Sequence, residues 1–328
     1  MHLGLCIFSA SNTSTMYKTI YCLAAFVSLV VFAQETPLPE SPQVKDFRAK
    51  LKKDPYDINV LLHLGMWTRD GQQGIQRNIP QALSYFKRGA ALGGGAGFHQ
   101  ALYQIYADGN GVDVDSKAAI HWATESAKNG KKVLLQWAAQ KILDRAPGWP
   151  RDYDLAIELA GMSSSPPSEL GRFYRGIGHV YAKGIAGELK PDGKKAMTIY
   201  LKALETGDQP GLTCGHIAEL YLAGGVGDGP NVLKGLEWYV EAVRHHSDKW
   251  GKGIYSERIG DLFIPLGKDH KKEDLIQAWA WKKYALEMGV GGNNNRHIGE
   301  TKQYEKMFSP QELKTANARL AELLKGNY

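Results

Sequence analysis

Cysteine is nearly missing from this chain: Cys6, Cys22 and Cys214 are the three in 328 residues. So few cannot staple a small disulfide scaffold. Charge of one sign is not concentrated either. Forty basic and 34 acidic side chains leave a net charge of +6, with no block of five like charges. That excludes the basic arm or stripe of a nucleic-acid binder. A Gly-x-Ser-x-Gly nucleophile elbow is absent as well. What is present suits a packed chain: 43% hydrophobic residues and 10% aromatics, too rich for disorder.

The first stretch reads as an address. Lys18 flanks an uncharged, mostly apolar run, Ile20 to Phe32, followed by Ala33, Gln34 and Glu35. The run falls short of the roughly 17–25 residues of a membrane span and fits a secretory signal peptide. Residues 1–33 are therefore expected to be cleaved after Ala33, with Met16 a workable start, and the product exported to the periplasm. Only Cys214 then remains, and it cannot close an intrachain disulfide. Residues 34–43, with Pro37, Pro39 and Pro42, are expected to form an extended linker.

From there the sequence repeats. Taking Ala119 as anchor, equivalents stand at Ala82, Ala156, Ala196, Gly235 and Ala278, spaced 37 to 43 residues apart. Three residues after each anchor lies a bulky side chain: Tyr85, Trp122, Leu159, Ile199, Trp238, Trp281. Four residues before it lies Asn78, Asp115, Asp152, Asp192, Asn231 or Asp274. An Asp or Asn in this place is an N-cap, accepting from the orphan amides of a helix's first turn. Eleven residues after the anchor come Gly93, Gly130, Gly207 and Gly289 in four of the six units. Upstream of each cap runs a second helical pattern, such as Leu64-Gly65 to Thr68, Leu102 to Tyr106 and Ile177-Gly178 to Tyr181. Ile217 to Tyr221 and Ile259-Gly260 to Phe263 continue it, with Ala138-Ala139 to Ile142 in a degenerate third unit. The small residue lets a partner helix approach. Each unit is thus helix, Gly-rich turn, capped helix, and stacking buries both stripes.

These features predict an all-α fold: a right-handed α-solenoid of about six helix-turn-helix repeats with a C-terminal capping helix. Residues 44–299 form the array, with units near 57–95, 96–130, 131–167, 168–208, 209–248 and 249–290. Val44 to Lys53 opens it, stopped by Asp54-Pro55. In the C-terminal segment, 300–328, Ser309-Pro310-Gln311-Glu312 is a capping box. It launches a stripe of Leu313, Ala316, Leu320 and Leu324.

The pattern resembles the Sel-one-like repeat family, a subclass of the tetratricopeptide-type solenoids, over about residues 57 to 290. The second unit carries it best: Tyr106-x-x-Gly109-x-Gly111-Val112-x-x-Asp115, then Ala119-x-x-Trp122. The resemblance implies that the first helix of each unit lines a concave groove. Counting back from the Tyr106 column, the inward residues would be Leu62 and Met66 (beside Trp67), Gln100 and Gln104, and Gln136 and Gln140. Arg175 and His179 follow, with Arg172 and Lys183 making a basic stripe, then Gly215 and Glu219, and Glu257 and Asp261. The implied function is a non-enzymatic scaffold binding a protein or peptide in the groove, as an envelope adaptor or toxin-immunity protein. An acidic partner segment would meet the basic stripe, and a basic one the acidic residues.

Chemistry otherwise finds little support. Gly109-x-Gly111 is an inter-helix turn and not a phosphate loop. His245-His246 with His270 lack metal-site spacing, so no metal and no cofactor are expected. Cys214, with His216 on the same segment, reads as an inward, structural thiol. Trp122, Trp238 and Trp281 are core, whereas Trp67, Trp137, Trp149, Trp250 and Trp279 fall off their column and are read as half-buried. Two alternatives stand beside the scaffold: a cell-wall or polysaccharide-binding module using those off-column tryptophans, and an enzyme with a site dispersed over several repeats.

Overall fold

The computed structural model describes residues 39–264, 271–290 and 295–328, the side chains of 295–297 excepted. The leader, most of the linker and His270 lie outside them. Fifteen α-helices make up the described residues, with no β-strand and one isolated antiparallel bridge, Ile185 to Leu189. They divide into two compact units, up to Ala101 and from Leu102 on.

The first unit holds α1 (Pro42–Lys53), α2 (Ile58–Asp70), α3 (Ile79–Ala91) and the start of α4 (Ala96–Asp108). Helix α1 begins two residues inside the expected linker, because the Ser41 hydroxyl caps the Val44 amide ahead of Pro42. Val44, Val60, Leu64 and Ile75 form its core, with Phe47, Leu51, Trp67 and Tyr85 packed around them.

The second unit continues through α5 (Ser116–Lys128), α6 (Val133–Leu143), α7 (Tyr153–Met162), α8 (Pro167–Lys183) and α9 (Gly193–Glu205). Then come α10 (Pro210–Leu222), α11 (Val232–His245), α12 (Lys249–Phe263), α13 (Lys272–Glu287), α14 (Asn295–Met307) and α15 (Pro310–Leu324). The first helices of successive repeats are α2, α4, α6, α8, α10 and α12. Their partners are α3, α5, α7, α9, α11 and α13.

The anchor column is buried in all six repeats, and its five alanines have no exposure. Five of the six expected caps are made. Asn78, Asp115, Asp152, Asp192 and Asn231 each accept from the amide three residues on, at 2.9–3.0 Å. The cap residue does a second job. Its own amide donates to the carbonyl of Thr68, Tyr106, Tyr181 or Tyr221 in the preceding helix, at 2.7–3.0 Å. The Asp/Asn column and the Tyr column are thus two ends of one backbone hydrogen bond that closes the turn. Gly93, Gly130, Gly207 and Gly289 all take φ of 71–90°, the left-handed helix stop that glycine adopts without a Cβ penalty.

Asp274 does not cap. Helix α13 starts at Lys272, so Asp274 falls in the first turn, and Lys271 in the cap position makes no side-chain bond. There its charge meets only the positive end of the helix dipole. The C-terminal part is larger than one capping helix, since α14 precedes α15. The Ser309–Glu312 capping box is present. Leu323, not Leu324, is the buried leucine at the end of α15; Leu324 is 52% exposed, as the 3.6-residue period past Ala316 and Leu320 demands.

Tryptophan burial departs from the column. Trp149 and Trp279 are buried although off it, held by bonds from Nε1 to the Ala107 carbonyl (3.1 Å) and to Glu305 (3.2 Å). Trp122 and Trp238 are only partly buried, while Trp137 and Trp250 are exposed.

Candidate partner-binding surface

In the first unit, Leu62 and Trp67 are half-buried and Met66 is exposed. Trp67 packs on Phe47 and His63, with ring centroids 5.2 and 5.7 Å away. Gln100 is exposed. In the second unit, Gln104 is half-buried and Gln136 buried, so the amide stretch offers less surface than its spacing implies.

The fourth repeat brings its basic residues into one recess of about 410 Å³. Arg172, Arg175 and His179 of α8 face Leu212 and His216 of α10, with Gln209 at the lip. Residues 172, 175 and 179 share a helix face at three- and four-residue spacing. Lys183 does not join them. It is the last residue of α8, one turn beyond His179, and lines a second recess with the 185–191 loop.

Arg175 is not a surface cation. It is 7% exposed; its Nη2 donates to Asp208 Oδ2 (2.6 Å) and its Nη1 to the Asp208 carbonyl (2.7 Å). The bonds tie α8 to the turn before α10, and a Cβ on Gly171 would strike Asp208 and Thr206 at 2.6 Å. Arg175, expected as a groove-lining member of the basic stripe, is therefore a buried structural cation. Arg172 and His179 remain exposed, and neither forms an ion pair among the described residues.

His216 supplies the wall. Its ring stacks on Tyr200 (5.6 Å, 15°) and meets His179 edge-on (6.4 Å, 62°). Burial lowers its pKa from the ordinary 6.5. Glu219 opposes the shift, and His179, Arg175 and Arg258 add to it. The imidazole is neutral at neutral pH.

The acidic residues are mostly spoken for. Glu219 pairs with Arg258 at 2.8 Å, and Glu257 is half-buried. Asp261 accepts from Lys282 Nζ at 2.5 Å, and Glu300 of α14 accepts from the same nitrogen at 2.9 Å. Gly215 is covered by the Tyr255 ring. Gln209, Leu212 and His216 were not legible as site residues. Gln209 leaves a trace only in hindsight, as the residue before Pro210 with φ 45°, where a following proline disfavours helical backbone.

Burial, followed by Glu241, pushes the Cys214 thiol up to about 11, so it stays protonated. His245 pairs with Glu241 and His246 with Asp248. No cluster of three metal-ligating side chains occurs among the described residues. No helix among them is long and apolar enough to cross a membrane.

The fold and this surface define an all-α helical-repeat protein that offers side chains from successive first helices. The chain carries four Sel1 repeats: the Sel1 repeat model matches residues 60–94, 101–131, 172–208 and 215–246. These are the first, second, fourth and fifth repeats; the third and sixth fold as helix pairs without matching. Sel1-repeat proteins generally mediate protein–protein interaction and are typically non-enzymatic scaffolds. Among solved structures, the chain is similar to a protective antigen present in uropathogenic Escherichia coli strains displaying an SLR fold. Identity is 19%, over 86% of this chain and 71% of that one, with a TM-score of 0.36. It is also similar to a Sel1 repeat protein from Oxalobacter formigenes, at 20% identity over 74% and 99% of the chains and a TM-score of 0.32. No curated protein matches it.

Proposed function

We propose that this chain is a non-enzymatic scaffold, exported to the periplasm, that holds a protein or peptide partner against its first helices. An envelope adaptor or a toxin-immunity protein are the specific forms this takes. The observation that carries it is the α8–α10 recess: exposed Arg172 and His179 face outward with no ion pair among the described residues, on a frame fixed by Arg175–Asp208. Rigid elements presenting unsatisfied polar groups are what recognition needs. A photo-crosslinking residue at His179, compared with one at exposed Lys202 on the second helix α9, tests it. Discrete adducts from His179 alone support the reading, and adducts from Lys202 alone overturn it. N-terminal sequencing of the exported chain should begin at Gln34.

A second reading, polysaccharide binding, draws on exposed indoles at Trp137 (41%) and Trp250 (65%), since flat rings stack on sugars. Retention on purified cell wall, lost on Trp250→Ala, would favour it over the scaffold.

A further inference from the structure

We infer that the α8–α10 recess takes the carboxylate side chain of an acidic segment in the partner protein. This rests on the scaffold reading and names the chemistry its partner brings.

The charge pattern carries it furthest. The larger recess of this unit, about 680 Å³, mixes charges of both signs: Arg151, Lys190, Lys194 and Lys195 stand among Asp152, Asp154 and Asp192, with Lys195 paired to Asp154. No Asp or Glu lines the α8–α10 recess. Arg175, more than nine-tenths buried, is already neutralised by Asp208, which leaves Arg172 and His179 at the mouth unanswered. The site is also built, not incidental. Gln209 is held at φ 45° directly before Pro210, a costly conformation that persists only where surrounding contacts impose it. The Arg175 bond to the neighbouring Asp208 carbonyl is such a contact.

Shape and charge then narrow the ligand. Leu212 and the His216 ring give methylene groups an apolar wall, while the planar Arg172 fork matches a carboxylate's two oxygens. One unpaired guanidinium beside a histidine suits a single negative charge. A phosphoryl group carries about −1.5 to −2 and would remain under-neutralised.

The test uses the full chain, with a blocked tetraglutamate peptide and its tetraglutamine counterpart as probes, at physiological salt. Binding is followed by affinity and by the ring signals of His179 and His216. Tetraglutamate should bind saturably and shift both rings, and tetraglutamine should not. Losing charge-assisted bonds in Arg172→Gln with His179→Gln should weaken binding about tenfold. Arg151→Gln with Lys194→Gln, in the larger recess, should leave it unchanged. Absence of saturable binding overturns the inference, as does an equal effect of the two double variants. Displacement by inorganic phosphate at equal affinity overturns the assignment to a carboxylate. Crosslinks from His179 alongside indifferent peptide affinities would sink this inference and spare the scaffold. Partner adducts only from Lys202 would overturn both, even with peptide binding lost in the α8 variant, because the partner then docks away from the recess.

Discussion

The fourth and sixth repeats put different residues in the same place. Four residues after the anchor, the fourth has Tyr200 and the sixth has Lys282. Each covers the small residue of its first helix: a Cβ on Gly178 would lie 2.5 Å from the Tyr200 ring, and one on Gly260 would lie 2.8 Å from the Lys282 stem. The swap changes how each repeat face is used. Tyr200 has no charge to satisfy, so its neighbour His216 and the equivalent of Asp261, His179, stay available around a recess. Lys282 is 3% exposed, and its ammonium draws in Asp261 and Glu300, binding α13 to α12 and α14. A buried lysine turns the interaction face of the sixth repeat into structure. Charge on a repeat face becomes surface only where the core behind it asks for none.

Substitutions at the two buried cations should sharpen this contrast most. Arg175→Met leaves Asp208, 16% exposed, without its partner, and should cost about 3–5 kcal/mol in urea unfolding. Lys282→Met frees Asp261, 57% exposed, to rehydrate, so about 1–2 kcal/mol is expected. Equal losses would break the distinction. Gly178→Ala should come next, at about 1–3 kcal/mol, because the Tyr200 ring is packed and cannot yield. Gly260→Ala should cost a similar amount, because the Lys282 Cγ at 2.8 Å belongs to an anchored side chain and the Ala278 carbonyl lies 3.2 Å away. The caps cost less. Asp192→Ala should lose about 1 kcal/mol, and Asp274→Ala only about 0.3–1 through the dipole.

The pH profile separates the repeats by the end at which each weakens. His216 has a lowered pKa in the folded chain, so the unfolded chain takes up its proton first. Stability from this residue is present above the ordinary 6.5 and falls as pH drops through the folded pKa. His216→Phe should flatten that acid limb. At Lys282 burial disfavours the charge, but the bonds to Asp261 and Glu300 outweigh it and raise the pKa. Its contribution is whole below the ordinary 10.5 and is lost only as pH climbs through the raised value. A Lys282→Met chain that kept the alkaline loss would contradict this.

Most of the fold was legible because it is periodic. The anchor, cap and glycine columns each reflect one local constraint repeated along the chain, so even the degenerate third repeat declared itself through Asp152. Asp274 shows the limit: an acidic residue near a helix start reads alike as cap or first-turn charge, and only backbone geometry separates them. The site was legible in part. Spacing placed Arg172, Arg175 and His179 on one face. It could not show that Arg175 turns inward, since Asp208 lies 33 residues away in sequence and outside any helical period. His216 was hidden for a like reason: its role depends on stacking against Tyr200 of another helix. Asp261 and Lys282, 21 residues apart, are a third such pair.

The most direct measurement is partner affinity after charge changes in the two repeats, once the His179 adduct has been identified. Arg172→Glu with His179→Glu should weaken binding at least about tenfold, while Asp261→Asn with Glu257→Gln should leave affinity nearly unchanged. A larger loss from the sixth-repeat pair, with both variants retaining the helical spectrum of the unaltered chain, would contradict the account.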